Sequence, residues 1–294
     1  MLDVVIAAGS PLERGTDVTG QVSLRQGGSA ATTARWLARL GARATLVCAV
    51  GRDPIGRALV ESIKADGVRV RASRVAGAAT GRIGVVVAPG GERSFVADRG
   101  AADALRPDDL RPAWVAGDGL HLPAYSLLGS PLGEAGRRAI ELARAAGAVV
   151  SLDLASAAPL LAKGRRAAQR LVADAAPDLL FATLAEAEAL LGSSDLLRLL
   201  DAAPLAVLKR GAGGATILVH GAAGPLRFDV ATAPLNPADT TGAGDAFDAG
   251  FLASFLAAPA DTRMRPAALR RAALAAHRAA ARQLSSPVAE LRLR

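Results

Sequence analysis

Cysteine is nearly absent from this chain. Cys48 is the only one among 294 residues, which excludes an internal disulfide framework and suits a reducing, cytoplasmic setting. It falls in the apolar run 44–50 and is expected to be a buried structural thiol. Aromatics make up 3% of the residues, with one tyrosine and two tryptophans, so the stacking surface that single-stranded nucleic acid needs is missing. His121, His220 and His277, the three histidines, stand too far apart for a local metal motif. No apolar run approaches the roughly 20 residues that span a bilayer. The first residues lack a basic region followed by a long hydrophobic stretch, so neither a membrane span nor a secretory leader is expected. A net charge of +8 invites a nucleic-acid reading, but the basic residues, almost all arginine, are scattered over helical faces. They are expected to form a solvated surface that also draws anionic nucleotide, with no nucleic-acid partner.

What is plentiful is apolar residues, 51% of the chain, enough for the core of one large domain. Period-2 and continuous apolar runs predict strands at 4–8, 44–50, 119–122, 148–154, 179–182 and 206–209. Period-3.6 patterns predict helices at 30–40, 55–66, 132–146, 160–175, 184–191, 243–256 and 266–284. Hairpin signals join 82–88 to 93–97 around Pro89-Gly90-Gly91, and 215–219 to 226–230. Repeated strand–helix units imply an α/β fold: three layers, doubly wound, with a mostly parallel central sheet flanked by helices. Ligands in such folds sit beyond the carboxyl ends of the strands, where Asp153, Lys209 and Asp239 fall.

The richest stretch is Asp239-Thr240-Thr241-Gly242-Ala243-Gly244-Asp245, opening the apolar helix predicted at 243–256. Unpaired amides and the positive dipole end at a helix start make an anion site. Glycines let that backbone fold into a nest that approaches phosphate without Cβ clashes. A carboxylate at Asp245 repels a ground-state anion, but it suits a group that takes a proton from an attacking hydroxyl. That combination points to phosphoryl transfer. The plainer alternative is a capped helix with Asp245 as a first-turn acid. A second block, Gly27-Gly28-Ser29-Ala30-Ala31-Thr32-Thr33-Ala34, opens an amphipathic helix followed by Gly41 and Gly51.

In this order and spacing, the two blocks resemble the C-terminal and N-terminal signatures of the ribokinase family, the PfkB-type carbohydrate kinases. Similarity continues through Gly51-Arg52-Asp53-Pro54-Ile55-Gly56, Gly91-Glu92-Arg93, Arg99-Gly100-Ala101 and Lys209-Arg210-Gly211-Ala212-Gly213-Gly214, covering nearly the whole chain. The resemblance implies one kinase domain, 1–294, with a small β lid from about 13–26 and 69–98, and a homodimer paired through that lid. It implies ATP and Mg2+, with K+ in some members, and a small sugar-like substrate. Asp245 then matches the catalytic base, and Gly242, Ala243 and Gly244 supply amides to the transferring phosphate. Substrate contacts fall to Asp3, Gly27, Gly28, Thr32 and Arg99. Nucleotide contacts fall to Lys209, Gly211, Gly214, Thr183 and Glu186, with Glu186 reaching magnesium through water. Asp239 and Thr241 match positions beside a monovalent-cation or nucleotide site, and Ala275–Ala281 would line the adenine pocket.

Three positions depart from the family pattern. Thr32 and Thr183 stand where asparagines are usual, and Thr183 to Glu186 also satisfies a helix capping box on its own. Met1-Leu2-Asp3-Val4-Val5 resembles the end of the family's opening strand motif, which makes Asp3 its hydroxyl-binding acid and leaves that strand largely missing. A second register through Gly9-Ser10-Pro11-Leu12-Glu13 puts Arg14 in the acid's place, and Asp17 is a third candidate. Either a start set too late or a degraded copy accounts for the gap, and a longer native protein by intact mass selects the first. The alternatives to a sugar kinase are a catalytically degraded sugar- or nucleotide-binding relative and a nucleoside kinase. An oxidoreductase is disfavoured because no G-x-G-x-x-G follows the first strand.

Overall fold

Strands buried on both faces should be apolar throughout, and three of them are. The computed structural model describes all residues except 91, 222–223, 234, 236–238, 287–288 and 292–294. Its first part runs β1 (Leu2–Ala8), β2 (Gly20–Gln26), α1 (Ser29–Arg39), β3 (Thr45–Gly51), α2 (Pro54–Ala65) and β4 (Arg69–Val75). Next come β5 (Arg82–Val87), β6 (Arg93–Asp98), α3 (Pro112–Val115), β7 (Gly119–Pro123), α4 (Leu132–Ala145) and β8 (Val149–Asp153). Then follow α5 (Ala157–Leu161), α6 (Arg165–Ala175), β9 (Leu179–Thr183), α7 (Leu184–Leu191) and β10 (Leu205–Lys209). The last elements are β11 (Ala215–Gly221), β12 (Gly224–Val230), α8 (Ala243–Ala257) and α9 (Pro266–Ser285).

The main sheet has the order β12-β11-β10-β9-β8-β7, parallel from β7 to β10 and antiparallel at β11 and β12. Alternate residues of its central strands feed two separate cores. Leu152, Leu180 and Leu208 pack under α4, α6 and α7, while Phe181, Val207 and Ile217 pack under α8 and α9. These apolar strands end in polar residues, Asp153, Thr183 and Lys209, so chemistry collects at one edge of the sheet. Helices α8 and α9 lie very close: a Cβ on Gly250 would stand 2.8 Å from the Ala275 carbonyl oxygen and the Ala276 Cα. The buried alanines of α9, among them Ala276 and Ala279, are therefore used largely in helix packing against α8.

A small four-stranded sheet, β2-β1-β5-β6, stands apart from the main one. Its strands differ from the expected lid segments in two places. The whole of Leu2–Ala8 belongs to it, paired antiparallel with β2 and parallel with β5. Arg69–Val75 does not, because the β3–α2–β4 crossover lays β4 parallel against β3 as a separate pair. The β5–β6 hairpin forms as expected, although Gly91 of its turn lies outside the described residues. The helix expected at 160–175 is two helices, because Gly164 takes φ +87° between them. The small sheet is anchored from the far end of the sequence: the Leu291 amide donates to the Leu24 carbonyl at 2.7 Å, and Leu291 packs with Leu2 and Leu59.

Candidate active site

Helices α1 and α8 begin side by side, and each begins at a glycine with positive φ. Gly28 precedes α1 at φ +96° and Gly242 precedes α8 at φ +75°. Only glycine adopts these angles without strain. A Cβ on Gly242 would stand 3.2 Å from the Thr32 methyl and 3.3 Å from Gln283 Nε2, so the turn fits tightly between α1 and α9. Gln283 clamps it further, donating to the Thr241 carbonyl at 2.9 Å while accepting from Trp36 Nε1 at 2.9 Å. The Ala243 amide donates to the Thr240 carbonyl at 3.2 Å and holds the turn. Among the described residues the Gly242 and Gly244 amides have no backbone acceptor, which leaves these two donors unpaired at the helix start.

Asp245 sits in the first turn of α8, half-buried, and accepts a 2.6 Å hydrogen bond from the Ser29 hydroxyl at the start of α1. Burial pushes its carboxyl up to about 6; the Ser29 bond opposes this and the Asp153 carboxylate adds to it. A carboxylate held near neutrality is suited to accept a proton. Tyr125 borders the same corner, its hydroxyl raised to about 12 by burial and by the Asp245 charge.

Beneath the turn lies a buried charge cluster. Lys209, one of three lysines in the chain, donates to Asp153 at 3.0 Å and to both oxygens of Asp248 at 3.2 Å. Burial works against its proton, but the Asp153 and Asp248 carboxylates outweigh that and hold the ammonium charged. A Cβ on Gly244 would be 3.6 Å from Lys209 Nζ, so this positive charge underlies the turn that opens α8. Beyond β10, Gly211 and Gly214 take φ +57° and +85°, and a Cβ on Gly214 would strike the Val230 carbonyl at 2.3 Å.

Thr183 and Glu186 form the complete capping box of α7: the Glu186 amide donates to Thr183 Oγ1 at 3.2 Å and the Thr183 amide to Glu186 Oε2 at 2.8 Å. One Glu186 oxygen is thus engaged. Asp239, matched to a cation position, already meets two cations: Arg93 at 2.6 Å and Arg25 at 3.0 Å, both from the small sheet. Its carboxyl is held far below the usual range; burial opposes this, and the Thr241 amide and Arg93 overcome it.

Beside the start of α1, Asp3 and Gly27 meet so closely that a Cβ on Gly27 would fall 1.8 Å from Asp3 Oδ1. That oxygen is buried without a partner among the described residues, and burial raises the carboxyl to about 6. Asp3, Thr32 and Gly242 line one cavity of about 140 Å³, roofed by Arg93 and Phe95 of β6. The Thr32 hydroxyl donates within its own helix to the Gly28 carbonyl at 3.2 Å, leaving an acceptor face. Arg99 is not brought to this cavity; it pairs with Asp103 at 2.5 Å and stacks 4.8 Å from the Tyr125 ring. Asp17 lies exposed in the β1–β2 loop, also away from the cavity.

Several members of this site carried little signal in the sequence. Ser29 lay inside the glycine-pair block, where a hydroxyl at a helix start reads as capping. Asp248 was the better clue, an acid three residues beyond Asp245 in an otherwise apolar helix, which requires a buried cation. Gln283 and Tyr125 gave no signal, because only the fold brings them near.

Residues 2–290 match the model of the pfkB family of carbohydrate kinases. A fructokinase of Klebsiella pneumoniae is 33% identical over 254 residues, 82% of this chain and 80% of its own. A mouse ribokinase is 29% identical over 257 residues, 79% of this chain and 71% of its own. The solved adenosine kinase of Sinorhizobium meliloti superposes with a TM-score of 0.81 at 25% identity, covering 99% of this chain and 94% of that one. With the family model spanning nearly every residue and the three-layer sheet in place, this chain belongs to the pfkB family carbohydrate kinases, ATP-dependent phosphotransferases of the ribokinase-like fold.

Proposed function

We propose that this chain transfers the γ-phosphoryl group of ATP to a hydroxyl of a small sugar, with Asp245 as base. The observation that carries the reading is a half-buried carboxyl, held near pH 6, beside glycine amides that open a helix. The substrate hydroxyl gives its proton to Asp245 while its oxygen attacks the γ-phosphorus, and the bond to the bridging oxygen of ADP breaks. The Gly242 and Gly244 amides receive the charge on the transferring group, and the Lys209 ammonium beneath supports them. Asp3, with its unpartnered oxygen, accepts from the substrate. The 140 Å³ cavity is well below the roughly 300–1,000 Å³ of drug-sized sites, which favours a monosaccharide over a nucleoside.

Among the described residues no cluster of three metal-ligating side chains exists. A magnesium ion carried by the nucleotide's phosphates would meet this chain at Glu186, whose oxygen not used in the α7 cap would reach it through water. Bound there, the ion would neutralise phosphate charge. Asp239 needs no K+, because two guanidiniums already neutralise it. Ile6, Val22, Val86 and Val96 share the outer face of the small sheet, and Val22 and Val96 are 65% and 73% exposed, a surface for a second copy.

The test is ADP release with MgATP across sugars, sugar acids and nucleosides. Asp245→Asn should lower kcat by about 10²–10⁴-fold with nucleotide binding retained. Undiminished turnover in that variant removes Asp245 as the base. Silence of the folded, ATP-binding wild-type chain on every substrate would favour a degraded binding relative instead.

A further inference from the structure

Four arginines line the cavity of about 140 Å³ that also holds Asp3 and Gly242. Two come from α1, where Thr32, Arg35, Trp36 and Arg39 recur at the i, i+3, i+4, i+7 spacing of one helix face. Such a face is ordinarily an apolar seam. The other two come from the small sheet, Arg25 directly across from Asp3 and Arg93 directly across from Val87. Helix face and sheet face meet over the cavity, with two cations on each wall.

The arginines outnumber the acids that hold them. Arg25 and Arg93 share Asp239, at 3.0 and 2.6 Å. Arg35 and Arg39 share Asp66, which ends α2 and does not line the cavity. Asp3 is the remaining acid of the lining. Even with Asp3 ionised, four guanidiniums answer three carboxylates, and one positive charge is left over. Glu290, bridged to Arg25 through the backbone, is exposed and outside the lining. No residue beyond the described ones has an acidic side chain. The side chains of Arg25, Arg35 and Arg93 are only 27%, 19% and 18% exposed, so water and salt screen the surplus poorly.

A guanidinium carries its N–H donors in a planar fork. Among the described residues, Nη2 of Arg25 and Nη2 of Arg35 donate to no acceptor. The hydroxyls of a neutral sugar can accept from them but leave the charge unbalanced. A carboxylate or a phosphate supplies both acceptor and charge, with two oxygens that match the fork. Its distance from the reacting end also fits. Ser29, which bonds the Asp245 carboxyl, opens the helix that carries Arg35 six residues later, about 9 Å along the axis. Helical side chains lean back toward the helix start, which shortens that distance to the span of one sugar. We propose that the acceptor is a monosaccharide bearing one anionic group, a carboxylate or a phosphate, bound by Arg25 and Arg35 at the end of the cavity away from Asp245. This deepens the phosphotransfer reading above and rests on it.

The test compares neutral sugars with their own acids and monophosphates by ADP release, for example glucose with glucuronate and fructose with its monophosphates. In at least one set, kcat/KM for a charged member should exceed that for the neutral one by about tenfold or more. Whether the acid or the phosphate leads names the anion. Arg25→Met and Arg35→Met each leave the shared carboxylate one arginine, Arg93 or Arg39. Each should cost the charged acceptor at least about tenfold more than the neutral one. No preference for a charged member in any set overturns the inference. An equal loss on both members in the variants does so too, because that is a structural effect. A rise confined to the KM of ATP also overturns it, by assigning the surplus charge to the nucleotide. The phosphotransfer reading fails differently, by silence on every acceptor or by undiminished turnover in Asp245→Asn. Calorimetric titration of the folded chain with the same sets then decides the charge preference. Tighter binding of a charged member, lost in Arg35→Met, upholds it, and equal binding overturns it.

Discussion

At the scale of single residues, the site works by pitting burial against hydrogen bonding at Asp245. Burial lifts its carboxyl to about 6, and Ser29 restrains the rise. A base must be ionised, so kcat should climb with pH along a limb centred near 6. Ser29→Ala removes a bond to the charged form, and the limb should move up by about one unit. A pH–rate profile checks this, and an unmoved limb would free Asp245 from Ser29. Asp3 titrates in the same range, also raised to about 6 by burial. Both acids keep protons in the folded state that the unfolded chain releases near pH 4, so their contribution to stability falls as pH rises from about 4 to 6. Asp245 stood out as a candidate base in the sequence because a glycine-bracketed helix start is a local pattern. Its hydrogen-bond donor did not, because Ser29 and Asp245 are 216 positions apart and meet only through folding.

At the scale of elements, α7 separates two roles that the sequence left superposed. Thr183 and Glu186 cap the helix by reciprocal bonds, and Glu186 also faces the charge on Lys209. Thr183→Ala should cost about 1 kcal/mol, or roughly 2–4 °C in Tm, and leave the magnesium requirement alone. Glu186→Gln keeps an acceptor for the cap, so its Tm should hold while the magnesium needed for half-maximal rate rises several-fold. Thermal melts and magnesium titrations of both variants check this, and an unchanged titration for Glu186→Gln assigns Glu186 to capping alone. Elements with strong periodicity, such as α4 and the strands β8 to β10, were predictable. The break at Gly164 was not, because one glycine inside a helical pattern does not announce a positive φ. Nor was the assignment of β4, since a strand pattern does not name its partner.

At the scale of the whole molecule, the small sheet is tied across the site to the α8 turn through Asp239 and the arginines of β2 and β6. Because that carboxyl is held far below its ordinary range, the tie should survive acid until well under pH 4. Asp239→Asn removes it at any pH. Trypsin should then cut the small sheet several-fold faster, while the melting of the main sheet stays where it was, and an unaltered digestion rate would deny Asp239 this part. The sheet's own pairing is strongly non-local: Leu2 of β1 sits beside Arg82 of β5, and its inner end is held by Leu291. High contact order slows folding, because distant segments must be gathered before any contact rewards them. The small sheet is therefore completed only after segments as distant in sequence as Leu2 and Leu291 have met.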